Sequence, residues 1–469
     1  MRRYQEANSP ATALPALRAL PALLLAALAV QLSADEAVSQ SPLKRGTDNI
    51  EVLSHIPLGG WRTTADIEIE QELHRPYVYV ARRFDEAGID IIDVSDPRNA
   101  SVIYRWRIEN PELHRGTGPM DPKYFKLDGR YYVVQGVQFQ QEGIDHDLGA
   151  VVLDVTGLPD VRKVKEVGRI REPEAPGGFH NIFMYKHSDG RALLFTTTRS
   201  QNANVYDMGI FLKDGAEKAL VARMRVPEPL ENRTSGWHDM YVGYDPATGQ
   251  DKFYGGGSGG YYVLDISRLE DIKLLASITG VSGVRWGHTF TPTPDGRYAV
   301  GETEYQYAPL RIYDLKPALD GEVPTIRLPI GAWTANWQNL THNHEVRWPY
   351  VFVSGYEDGL QVFNMQDPTN PFTVAYYDTY LGPHKVGGCG DRICNGNFGV
   401  GVRNADGLIV ASDGVSGFWA FHMEGFDGWN GHGWGMPNIS SAQDWDNGPE
   451  GKENSVTARA AAEAVGGSR

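Results

Sequence analysis

The chain has 469 residues, a formal net charge of −15, 41% hydrophobic, 22% charged and 11% aromatic residues. This apolar and aromatic content excludes an intrinsically disordered chain, and the acidic balance excludes a nucleic-acid binder that works by neutralising phosphates. Two Cys cannot build a disulfide-dense scaffold, whereas 53 Gly beside 23 Tyr and 11 Trp fit an all-β protein of short strands and tight turns.

The N-terminus reads as an address. Arg2 and Arg3 precede an apolar run from Ala22 to Val30, which gives way to Ser33 and Ala34 before the acidic Asp35-Glu36. A basic start, a short apolar core and a small-residue end predict a signal peptide over residues 1–34, followed by a linker over 35–48. The competing reading is an uncleaved, disordered N-terminus. The apolar run is too short to cross a bilayer, so a periplasmic or secreted chain without a membrane span is expected. Export makes Cys389 and Cys394 a candidate disulfide around a small loop; a thiol pair or soft-metal site is the other reading.

From residue 49 onwards one short pattern recurs: Gly, alternating apolar residues, Asp, and another apolar residue. It appears as GIDIIDVSDP at Asp93, LGAVVLDVTGLP at Asp154, ANVYDM at Asp207, GYYVLDIS at Asp265 and PLRIYDL at Asp314. It returns degraded as GLQVFNMQDP at Asn364 and GFWAFHM at His422. Seven copies spaced by about 50 to 60 residues predict a seven-bladed β-propeller of four-stranded blades over residues 49–424. Hairpins such as DGRYYVV from Asp128, DGRALLF from Asp189 and DGRYAVGE from Asp295 precede the markers, and outer strands such as SVIYRWRI and KLLASITGV follow them. No outer strand follows His422, but NIEVLSHIPLGG from Asn49 has the right character and no blade before it. It is expected to complete the last blade. Residues 425–469 read as a Gly-rich extension and a disordered tail.

The segments GIDIIDVSDP, AVVLDVTGLP and YYVLDIS resemble the repeat of the LVIVD-repeat β-propeller family, an extracytoplasmic group. The resemblance covers roughly residues 49–424. It implies a fold and an extracytoplasmic location, and leaves function to the site.

The innermost strand of each blade lines the central channel. Aligned, these strands read GFHNIF with His180, GWHDMY with His238, WGHTFT with His288 and HNHEV with His344 preceded by His342. Counting back from Asp128 puts Asp121 in the same slot of the second blade, and the insertion before the last blade carries His384. Four imidazoles from consecutive blades would converge on the axis, a donor set for iron or copper, with zinc also suited. Hence His180, His238, His288 and His344 are candidate metal ligands, and Asp121, His342 and His384 further candidates. The competing reading is a structural His inherited with the repeat, as in tryptophan–aspartate repeat propellers.

The placement is similar to that in the four-His carotenoid cleavage oxygenase propellers, where outer carboxylates orient the rings. That resemblance implies a metal-dependent oxidoreductase or oxygenase, with Glu302, Glu304 and Glu345 as the orienting carboxylates. Two functions therefore compete: a metal-dependent oxidoreductase acting on a small molecule, and a non-catalytic surface propeller binding protein or glycan.

Overall fold

The computed structural model describes residues 45–60, 62–140, 142–245, 247–381, 395–429 and 443–446. The expected signal peptide, His384, Cys389 and Cys394 lie outside the described residues. Seven four-stranded antiparallel sheets form a ring, a seven-bladed β-propeller. The first blade runs Thr64–Ile69, Tyr77–Arg82, Gly88–Asp93 and Ser101–Arg107 from the axis outwards. Its two inner strands are buried at every position, because neighbouring blades cover both faces; its outer strand is mostly half-buried or exposed.

The recurring Asp has a local cause. Oδ1 of Asp93 accepts from Ser95 N at 2.8 Å, and Asp154, Asp207, Asp265 and Asp314 do the same two residues on, at 2.9–3.1 Å. Each carboxylate thus turns the chain as it leaves the third strand. An amide oxygen serves equally, and Asn364 accepts from Gln366 N at 2.7 Å. The copy at Asn364 is therefore intact where it matters.

Ring closure is by the N-terminal strand. Ile50–Ile56 pairs antiparallel with Gly417–Met423, from Ile50 opposite Met423 to Ile56 opposite Phe418. Glu424 N also donates to Asn49 O. Without this strand Gly417–Met423 would be a bare apolar edge. A chain beginning after residue 57 is expected to aggregate on expression; a monomeric, cooperatively melting product on size-exclusion chromatography would refute this.

Two features depart from the sequence reading. After Asp207 the chain forms a short helix, Met208–Asp214, before an outer strand, Leu220–Arg225, which the sequence did not signal. Within the stretch read as extension and tail, Trp445 is buried against Phe125 and Tyr124, and Gln443 Nε2 donates to Met184 O. Phe426 and Trp429 are buried as well, so these three rings supply the apolar area that the composition of the stretch concealed. Among the described residues no helix is long and apolar enough to cross a membrane.

Candidate functional site

Every inner strand reaches the channel through the same irregularity. Two consecutive residues oppose one on the second strand: Ala65 and Asp66 oppose Ala81, Met120 and Asp121 oppose Gly136, and His238 and Asp239 oppose Gly256. In the last blade Phe398 and Gly399 oppose Ser412. The hydrogen bonds of His180 and Asn181 with Thr197, His288 and Thr289 with Glu302, and His342 and Asn343 with Ser354 repeat the pattern. A bulge breaks the strict alternation of a strand and re-aims side chains. Both residues of each pair are thereby freed to serve the axis.

The first residues of the seven pairs are Ala65, Met120, His180, His238, His288, His342 and Phe398. The imidazoles lie edge by edge, with ring centroids 4.5 Å apart for His180–His238, 4.1 Å for His238–His288 and 5.1 Å for His288–His342. Phe398 continues the row, 3.7 Å from His342. Donor atoms of His238, His288 and Glu304 lie within 4.8 Å of one another.

This register corrects two assignments. His342, not His344, stands beside the other imidazoles. His344 occupies the position of Ile182, Met240 and Phe290, an apolar site in the other blades, and its ring lies against the Val300 backbone. Asp121 falls one residue beyond the His position. It joins Asp66, Asn181, Asp239, Thr289 and Asn343 around a cavity of about 80 Å³.

Neighbouring groups set the tautomers. His180 Nδ1 donates to Gln138 Oε1 at 2.9 Å, and His342 Nδ1 to the Phe398 carbonyl at 2.6 Å. His288 Nδ1 lies 2.8 Å from Thr289 Oγ1 and 2.9 Å from Glu302 Oε2. In the neutral ring each arrangement leaves Nε2 as a bare lone pair. Among the described residues His288 Nε2 has no hydrogen-bond partner and lies 3.5 Å from Glu304 Oε2; His238 Nδ1 also lacks one, as do both ring nitrogens of His344. Burial, reinforced by Arg83, pushes His180 down to about 4, and burial pushes His342 down to about 3. Burial and the facing imidazoles hold His238 and His288 well below the usual range. The row is therefore neutral at physiological pH, the state in which imidazole donates to a metal.

Of the three carboxylates named from sequence, two attend this row. Glu302 accepts from Thr341 Oγ1 at 3.0 Å, and Glu304 from Tyr356 Oη at 2.5 Å. Burial drives Glu302 well above the carboxylate range and pushes Glu304 up to about 7. Glu345 does not attend it: Arg347 Nη2 donates to it at 2.9 Å, and it faces Glu68 and Lys123 further along the channel.

The aromatic residues divide. Trp237 is a core residue whose Nε1 donates to Met224 O, and Trp333 stacks on Phe363. Trp286 lies 6.3 Å from His238, while Trp337 and Tyr307 are exposed. Sequence reasoning missed Gln138, Tyr356 and Arg83. Like Glu304, they stand two residues beyond the residue that opposes each bulge, and the register of the second strands was the available signal. The polar residue after each His was a second signal, since it marks the deeper ring of side chains. No protein-family model matches the chain, nor does any curated protein.

Proposed function

We propose that this chain is an exported propeller that holds one transition-metal ion, iron or copper before zinc, at the His end of its channel and acts there on a small molecule. The observation that carries the reading is the meeting of His238, His288 and Glu304 donor atoms within 4.8 Å. His180 and His342 flank them in the same row. Imidazole nitrogens with one carboxylate suit these borderline ions, and two buried ring nitrogens without a protein partner fit a missing donor–acceptor contact.

His180, His238, His288 and His342 would hold the ion, with Glu304 as carboxylate. Iron or copper bound there supplies redox chemistry, whereas zinc supplies a polarised water. The chain's own part is to keep four imidazoles neutral and to fix their orientation through Gln138, Thr289, Glu302 and the Phe398 carbonyl. Export rests on the basic, apolar and small-residue sequence of residues 1–34.

Elemental analysis of protein purified from the periplasm tests the reading. About one ion per chain is expected. The His238→Ala/His288→Ala protein should retain less than about a tenth of it, and His342→Ala should lose more metal than His344→Ala. A wild-type chain that takes up no iron, copper or zinc would exclude the metal and leave a non-catalytic propeller that binds protein or glycan.

A further inference from the structure

The side of the channel that carries the imidazoles also carries guanidinium groups that have no acid partner among the described residues. Arg83 lies two residues beyond Ala81, which opposes the first blade's bulge. It is 2% exposed, and its Nε has no hydrogen-bond partner. Among the described residues no carboxylate pairs with it. The contrast with its neighbour is direct: the Arg82 guanidinium is held by Asp90. Arg83 instead lies over the rings of Phe398, at 4.7 Å, and Phe84, at 5.7 Å. Burial and the nearby Arg62 push it down to about 10.

Three further arginines lie nearby, Arg62 half-buried and Arg199 and Arg233 exposed. Arg62 Nε is also without a partner. Arg233 lies 4.2 Å over Trp286, the ring beside His238. Arg199 donates to the Gln140 amide oxygen, at 2.7 Å, and has no acid partner among the described residues. Arg83 and Arg233 are each one aromatic ring away from the imidazole row, at different imidazoles of that row: Phe398 touches His342, and Trp286 faces His238. Of the four only Arg83 is shut away from solvent, and a buried guanidinium with no acid partner among the described residues calls for an anion from outside.

We propose that this mouth binds an organic carboxylate, with Arg83 forking its two oxygens and Arg62, Arg199 and Arg233 drawing the anion in. A buried guanidinium between aromatic rings offers one planar pair of donors and apolar walls, which matches a planar anionic head on an apolar body. The single planar fork of the buried Arg83 matches a flat carboxylate better than a tetrahedral phosphate. The inference deepens the metal reading by giving the charge of the small molecule, but Arg83 carries it without a metal.

Calorimetric titration of the full chain with benzoate and, separately, with inorganic phosphate tests it. Saturable benzoate binding is expected, with no binding of phosphate. Arg83→Met should weaken benzoate by about tenfold or more. Arg83→Lys keeps a charge but loses the fork, and should weaken it by about fivefold; this variant decides the matter if the methionine chain does not fold. The His238→Ala/His288→Ala chain should still bind benzoate, so failure of the metal reading and failure of this one are separable. Unchanged affinity in the Arg83 variants, no saturable benzoate binding in the wild type, or preference for phosphate would each overturn the proposal.

Discussion

Lys123→Met is expected to destabilise the fold by about 3–5 kcal/mol at pH 7, the size of effect seen when one partner of a buried ion pair is removed. Lys123 Nζ lies 2.5 Å from Asp121 Oδ1 and 3.9 Å from Glu68 Oε2. Both carboxyls are buried, with Asp66 and Glu345 near them. Burial drives Asp66 and Glu68 well above the usual carboxylate range and raises Asp121, while the Lys123 ammonium pulls all three back. The same carboxylates hold Lys123 above its ordinary value.

The pH dependence follows in sign. A carboxyl whose folded value lies above its unfolded value takes up a proton more readily in the folded state. Its share of stability is intact below the unfolded value near 4 and is lost as pH rises through the folded value. Without Lys123 the folded values of Asp66, Glu68 and Asp121 climb further. The deficit of the variant should therefore shrink between pH 7 and pH 5. Urea unfolding at both pH values measures it; equal deficits would mean that lost packing, not charge, is the cause.

Gly256→Ala is expected to cost about 3 kcal/mol and to halve metal content or worse. Gly256 opposes the bulge at His238 and Asp239, and a β-carbon there would stand 1.9 Å from the carbonyl oxygen of His288. That neighbour is backbone of the next blade, so relief requires the fourth and fifth blades to part. His238 and His288 sit on these two blades, with centroids 4.1 Å apart. A thermal melt and elemental analysis of one preparation would show both effects. A native melting temperature would mean that the two blades do not meet at this glycine.

The blades were legible because their repeat rests on local chemistry. An Asp that binds the amide two residues on leaves the same mark in five copies, and Asn364 shows how that mark can drift without loss. The site was legible only to within two residues. His180, His238 and His288 were placed in the row, but HNH offers two imidazoles, and a bulge gives no period by which to choose between them. His344 is two residues along, where the other blades carry Ile182, Met240 and Phe290.

Asp121 was misplaced by a turn. The Asp128-Gly129 hairpin is tight, pairing Leu127 with Arg130, with positive φ at both central residues. Around Asp295 the last pair is Pro292 with Ala299, so the turn is wider. Counting back from the two Asp residues therefore ends one residue apart. Arg83, Gln138 and Tyr356 were hidden for another reason: they come from second strands, and their relation to the imidazoles exists only once the blades close into a ring.

The strand that closes this ring has a temporal consequence. Ile50–Ile56 is synthesised first among the strands, yet its partner Gly417–Met423 is synthesised last. Six blades can assemble while the chain emerges, but the seventh must wait for both ends. Joining them closes a loop of roughly 360 residues, at an entropic cost of about 5 kcal/mol for a flexible chain. Prior assembly of the intervening blades lowers that cost by holding the ends near each other. Birth order and assembly order thus run opposite at the seam, and a ribosome stalled before residue 423 holds a propeller that cannot yet shut.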